Sequence, residues 1–170
     1  MFFIGIDPGH KGAIALLDPA TNHLQICDMP LLPKPKGTKG VETDYATLGD
    51  ALCFPPGFQV QAILEHVWSM PREGVSSAHA FGRNVGAIRM ALALNKIPYH
   101  LVTAVKWKKH FGLSSDKDRS RGLASQRFPA NASNFTRIKD DGRAEASLLA
   151  LYGAELHSSS THATARKISS

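Results

Sequence analysis

The feature that most narrows what this chain can fold into lies in its first eighteen residues. Phe2-Phe3-Ile4-Gly5-Ile6 is an apolar run that ends on Asp7-Pro8-Gly9, and a second run, Ala13-Ile14-Ala15-Leu16-Leu17, follows at once. Two buried strands joined by a tight turn satisfy this pattern. Pro8 and Gly9 shape the turn, and Gly12 lets the returning backbone come close. Asp7 is thereby set at a strand end, where a metal ion or a phosphate can reach its carboxylate. Further acids converging on Asp7 would mark a metal-dependent phosphate enzyme.

The rest of the chain supplies a frame for that turn. Residues 2–7, 12–18 and 24–29 read as an antiparallel meander of three short strands. Residues 30–41, PLLPKPKGTKGV, form a Pro/Gly/Lys-rich loop, either a solvated surface loop or a DNA-contacting arm. Thr43 or Asp44 caps a short helix through Leu52, and Phe54-Pro55-Pro56-Gly57 stops it. The β-branched run from Val60 to Val67 is a strand. Residues 76–95 form a helix opened by Ser76 or Ser77, with Ala78, Gly82, Gly86 and Ala87 suited to close packing. A strand over 99–103 and short helices over 105–111 and 116–127 follow, then the turn-rich FPANASNFT. The most regular helix runs from about Asp141 to Leu156, and the polar residues after His157 are expected to fray. A meander followed by βαβ crossovers implies an α/β fold, a mixed sheet with helices on both faces.

Bulk composition bounds the function class. One domain over 1–157 with a polar tail over 158–170 accounts for the length, and 43% hydrophobic residues suffice for one core. A net charge of +6 favours a polyanionic partner. Cys27 and Cys53 are too few and too scattered for a disulfide framework or a zinc site, which leaves two reduced thiols. The N-terminus lacks a signal-peptide pattern, and no apolar stretch approaches a membrane span. A soluble cytoplasmic protein is expected.

Three places can bring acids to Asp7. Glu65 lies late in an apolar strand, where a charge is rarely buried unpaired. Asp141 and Glu145 are four apart, so a helix stacks them on one face. Asp140 replaces Asp141 if the helix starts one residue differently, and either Asp can serve simply as a cap. Carboxylates meeting in one place repel one another, and divalent cations are the usual remedy. An all-oxygen ligand set points to Mg²⁺ or Mn²⁺, not to zinc. Two such ions activate water and stabilise the leaving oxygen of a phosphodiester.

The basic run from Lys106 to Arg121 holds six Lys or Arg against two Asp, interrupted by Trp107. A solvated helix face explains many such runs, but Lys106, Lys108, Lys109, Lys117, Arg119 and Arg121 also suit phosphate contact. Lys117 is placed to stabilise charge on the scissile phosphate. His66 alternates away from Glu65. Trp107 is a core anchor or a nucleotide contact. Trp68, just past a strand end, is an odd place for a large aromatic facing only solvent.

Taken together, GIDPGHKGAIALLD, LEHVWSMPREGVSS, FGRNVG, VKWKKHFGLSSDKDRSR and KDDGRAEASLLALYG resemble the RuvC-like Holliday-junction resolvases of the RNase H-like superfamily. The likeness is to the branch found in phages, bacteria and plant chloroplasts, and its motifs fall in order across residues 3–153. It implies an RNase H-like five-stranded sheet and a homodimer that nicks two symmetric strands of a four-way or branched DNA junction. It implies two Mg²⁺ ions per site, with Mn²⁺ able to substitute, held by Asp7, Glu65, Asp141 and Glu145. Asp140 is the alternative to Asp141, and Asp7 is shared between the ions. It further implies that Trp68 wedges into the junction, that Arg83 and Arg143 join the DNA contacts, and that the 76–95 helix builds the dimer interface. Two other readings compete: an actin-like ATPase or phosphotransferase fragment, and a catalytically inactive binder of branched DNA.

Overall fold

The computed structural model describes residues 1–67, 74–114 and 117–168, without the side chains of Lys117 and of residues 161–168. Strands β1 (Phe2–Ile6), β2 (Ala13–Asp18) and β3 (His23–Asp28) form the antiparallel meander that the apolar runs predict. Strands β4 (Leu31–Pro33) and β5 (Val41–Thr43) form a separate two-stranded sheet. Helix α1 (Tyr45–Ala51) starts at Asp44, whose carboxylate accepts the Thr47 N–H at 3.1 Å. Then come β6 (Val60–Glu65), α2 (Val75–Leu94), β7 (Tyr99–Val102), α3 (Ala104–His110), α4 (Lys117–Arg127), two short 3-10 helices and α5 (Asp141–Ile168).

The main sheet has the order β3-β2-β1-β6-β7, with β6 and β7 joining β1 in parallel. This is the mixed five-stranded sheet expected from a meander followed by crossovers. Alternation along the strands splits the core in two. Phe3, Ala13, Ala15, Leu17 and Ile63 face α5, where Leu148 and Leu149 are fully buried. Ile4, Ile6, Ile14, Ala62 and Leu64 face α1 and α2, meeting Leu48, Leu52, Ile88 and Leu92. Each buried Leu or Ile contributes roughly 1.5–3 kcal/mol over its exposed state.

Three details differ from the sequence expectation. The loop at 30–41 contains the β4–β5 hairpin, in the register Leu31↔Thr43 to Pro33↔Val41. Three-residue strands show no readable alternation, so composition hid them. Helix α2 begins at Gly74 with no side-chain cap, not at Ser76 or Ser77. Helix α5 continues to Ile168, past the expected end at Leu156. The hydroxyls of Ser158, Ser159 and Ser160 donate to the carbonyls of Ala154, Glu155 and Leu156, so polar residues that normally favour fraying are tied into the helix.

Close approach of α5 to the sheet depends on glycine. A Cβ on Gly5 would stand 1.9 Å from the Ala146 carbonyl oxygen, and one on Gly142 would stand 2.2 Å from the Lys11 carbonyl oxygen. Gly12 is as tight, 2.1 Å from the Asp7 carbonyl oxygen. The start of α5 therefore rests directly on the β1–β2 turn.

Candidate active site

This packing places three of the four predicted acids, Asp7, Asp141 and Glu145, on one cavity, whereas Glu65 is not among its lining residues. The register pairs Gly5 with Ile63 and Ile6 with Leu64, so Asp7 and Glu65 each lie one residue further along neighbouring strands. Both share the parity of Phe3 and Ile63, the α5 side of the sheet. Asp7, Asp141 and Glu145 line one open cavity of about 710 Å³ between the β1–β2 turn and the first turns of α5. The Asp7 carboxylate also accepts the Gly9 N–H at 3.1 Å, closing the turn that Pro8 and Gly9 predict.

Each of the other three acids has a defined partner. Glu65 is buried and accepts the Trp107 indole N–H at 2.9 Å. Glu145 pairs with Lys108 at 2.8 Å. Asp141 is bound by Arg121, which also reaches Asp118. Asp140, the alternative to Asp141, is buried and held by Arg137: it accepts the backbone N–H at 2.9 Å and the guanidinium at 2.8 Å. That guanidinium holds the Asp140 carboxyl below its ordinary value of 3.8. Asp140 is thus a capping residue held by Arg137, and Asp141, held by Arg121, begins α5 one turn before Glu145; both line the cavity.

The cavity has a basic wall as well as an acidic one. Lys11, Arg137, Lys139 and Arg143 line it. Arg143 grips Asp28 through two bonds of 2.6 Å, and this pairing holds the Asp28 carboxyl low. Other expected DNA contacts fall elsewhere. Arg83 and Lys109 are exposed on α2 and α3. Lys106 lines a separate cavity of about 320 Å³ with His100 and His157. Arg119 approaches the Gly112 carbonyl at 3.5 Å. Trp68 and the side chain of Lys117 lie outside the described residues.

A donor set of carboxylate oxygens suits a hard divalent cation such as Mg²⁺ or Mn²⁺. As the side chains stand, however, no three His, Cys, Asp or Glu among the described residues are grouped closely enough to hold a metal ion. Lys108 and Arg121 instead supply the positive charge at Glu145 and Asp141. The oxygen chemistry of these side chains fits a hard cation, and Lys108 and Arg121 occupy two of the predicted ligands, Glu145 and Asp141.

Two residues support the site in ways the sequence reading did not foresee. Trp107, fully buried, is the core anchor of the two sequence readings, and it orients Glu65 as well. Asn84 is completely buried on α2, accepts the Thr43 hydroxyl at 2.9 Å and donates to the carbonyl of Pro8, next to Asp7. Its spacing was legible: Asn84, Ile88 and Leu92 repeat every four residues on the buried face of α2, so a polar side chain sits where an apolar one is expected.

No family model matches the chain, and no curated protein matches it in sequence. Solved structures do match in fold. Thermus thermophilus RuvC in complex with a Holliday junction substrate superposes with a TM-score of 0.58 at 15% identity, covering 91% of this chain and 93% of that one. A second Thermus thermophilus RuvC structure gives 0.56 at 13% identity, over 92% and 97%. With the sheet order and the α5 approach already described, the likeness establishes that this chain has a RuvC-like, RNase H-like fold.

Proposed function

We propose that this protein is a structure-selective DNA endonuclease that resolves four-way or branched junctions by metal-dependent phosphodiester hydrolysis. The observation that carries this reading is the cavity lined by Asp7, Asp141 and Glu145 together with Lys11, Arg137, Lys139 and Arg143. Acidic and basic side chains on one cavity suit a phosphate backbone bridged to the protein by cations. The fold is shared with a protein solved on a Holliday junction substrate. Asp7, Glu65, Asp141 and Glu145 are the residues that would hold Mg²⁺. Bound there, such ions would supply the chemistry of water activation and leaving-oxygen stabilisation.

The chain's own residues do the positioning. Trp107 fixes the Glu65 carboxylate. Lys108 and Arg121 neutralise Glu145 and Asp141, which lets several acids share one cavity until metal and DNA arrive. Lys117 and the exposed bases of α3 and α4 bind phosphate, and Trp68 stacks on an unpaired base at the junction. Paired, symmetric nicks require two sites, and α2 offers the face to make a homodimer. Its exposed residues include Val75, Met90 and Leu94, at 86%, 60% and 75% exposure, beside Gly82 and Gly86.

The test is cleavage of a four-way junction beside a linear duplex of the same sequence, with and without Mg²⁺. Junction-selective, metal-dependent nicking is expected, and Asp7→Asn should abolish it while leaving junction binding intact. Cleavage that survives either Asp7→Asn or removal of divalent metal would overturn the reading. Measurable ATP turnover without nicking would favour a phosphotransferase instead.

A further inference from the structure

The β4–β5 hairpin has no role in the chemistry above, yet its root is hydrogen-bonded in place beside the cavity. Its base begins at Met29 and Leu31, both of which line the cavity that holds Asp7, Asp141 and Glu145. The other strand ends on Thr43, whose hydroxyl donates to Asn84, and Asn84 donates in turn to the carbonyl of Pro8. A buried chain of two hydrogen bonds thus ties the root of the arm to the turn that carries Asp7. The Asp44 N–H donates to the Pro30 carbonyl at 3.0 Å, closing the base from the other side.

The tip is equally defined. The Thr38 N–H donates to the Pro35 carbonyl at 3.0 Å, with Gly37 at φ +95° supplying the third position of a tight turn. The Lys34 N–H donates to the Gly40 carbonyl at 3.1 Å, and Gly40 has φ +107°. Residues 29–41 carry Lys34, Lys36 and Lys39 and no acid. Lys36 and Lys39 are exposed, and Lys34 lies across Gly40. From Leu31 to Lys36 the chain extends at most about 16 Å, at ~3.3 Å per residue. That is the rise of roughly five base pairs along a duplex axis.

We propose that this hairpin is a second DNA-binding element, whose lysines grip the phosphate backbone of a duplex arm several nucleotides from the phosphate being cut. An all-lysine, acid-free tip recognises a polyanion by charge, and a stiff hairpin holds that grip at a set distance from Asp7. The inference rests on the nuclease reading and deepens it, by naming where the flanking duplex is held.

The experiment compares the unsubstituted protein, the triple variant Lys34→Ala/Lys36→Ala/Lys39→Ala and the charge-keeping triple variant Lys34→Arg/Lys36→Arg/Lys39→Arg. Each is measured for four-way-junction binding across a salt series in an Asp7→Asn background, and for cleavage with Asp7 intact. Removing one lysine–phosphate pair lowers the slope of log K against log salt by about 0.9. The alanine variant should therefore bind more weakly at low salt with a slope shallower by about 2–3, and the arginine variant should match the parent. A parent that binds and cuts, with an alanine variant equal to it in slope and affinity, overturns the hairpin assignment alone. An arginine variant as weak as the alanine variant also overturns it, because charge would not be the cause. A parent that neither binds nor cuts a junction overturns the nuclease reading and the hairpin assignment with it.

Discussion

Glycine plays opposite parts on the two faces of this sheet. On the α5 side, Gly5, Gly12 and Gly142 stand where a methyl group would collide with backbone at 1.9–2.2 Å. On α2, a Cβ added at Gly82 or Gly86 meets nothing within 4 Å. The first set removes side chains so that a helix can lie against a strand and a turn, and the acids meet as a result. The second set lies on an unfilled surface beside exposed Met90 and Leu94. A glycine in a helix costs about 1 kcal/mol relative to alanine. Inside the fold that cost is offset by packing, whereas on α2 it is offset only if a partner comes close.

The largest effect expected on this contrast is at Gly5. Gly5→Ala pushes a methyl group into the backbone of α5, which cannot yield as a flexible side chain would, and should cost about 3 kcal/mol. Thermal unfolding should show it as a Tm lower by roughly 6–12 °C, with cleavage abolished as Asp141 and Glu145 move off Asp7. A variant as stable and as active as the parent would mean that α5 approaches the sheet less closely than described.

A smaller effect is expected at Trp107. Trp107→Phe keeps most of the ring but removes the N–H donated to Glu65, a loss of about 1–2 kcal/mol for a buried acceptor. Denaturant unfolding should record that loss, and single-turnover cleavage should fall more than junction binding. Equal losses in both would make Trp107 a packing residue only.

Gly82→Ala should have the opposite sign. In dilute solution it should stabilise the monomer by about 0.5–1 kcal/mol, since the methyl group enters open space. If α2 is the paired face, light scattering should show the dimer dissociating at higher protein concentration than the parent does. Stabilisation with unchanged association would place the dimer interface elsewhere.

The smallest effect is in pH, and it includes two ion pairs on the α5 side. Arg137 holds Asp140 low and Arg143 holds Asp28 low, so the folded state binds protons less readily than the unfolded chain. Their contribution is complete above the ordinary carboxylate value of 3.8 and is lost as pH falls through the lower folded values. Acid titration should therefore weaken the packing around α5 slightly below that value, and Asp28→Asn should flatten the profile. Because Arg137 is half exposed, solvent screening keeps the change small.

Much of the architecture was open to reading because it is local. The apolar runs around Asp7, the Asp44 cap and the four-residue spacing of Asp141 and Glu145 depend on neighbours a few residues away. Gly12 announced a close approach, and the structure places one there. The β4–β5 hairpin was not legible, since its strands are too short for alternation and its closure depends on two positive-φ glycines. The choice between Asp140 and Asp141 was also closed to sequence. Asp140 ends the short 3-10 helix Ile138–Asp140, held by Arg137, and Asp141 opens α5, held by Arg121 from 20 residues away.

Most of the strands and helices, the strand-end place of Asp7 and the stacking of Asp141 over Glu145 follow from the sequence alone, because hydrophobic period and turn chemistry act over short range. The partners of the acids come from tertiary packing. Lys108 reaches Glu145, Arg121 reaches Asp141 and the Trp107 indole reaches Glu65 across separations of 37, 20 and 42 residues. The first two pairings exist only once α5 has settled against the sheet, and that packing depends on side chains that Gly5, Gly12 and Gly142 do not have; the third needs α3 beside β6.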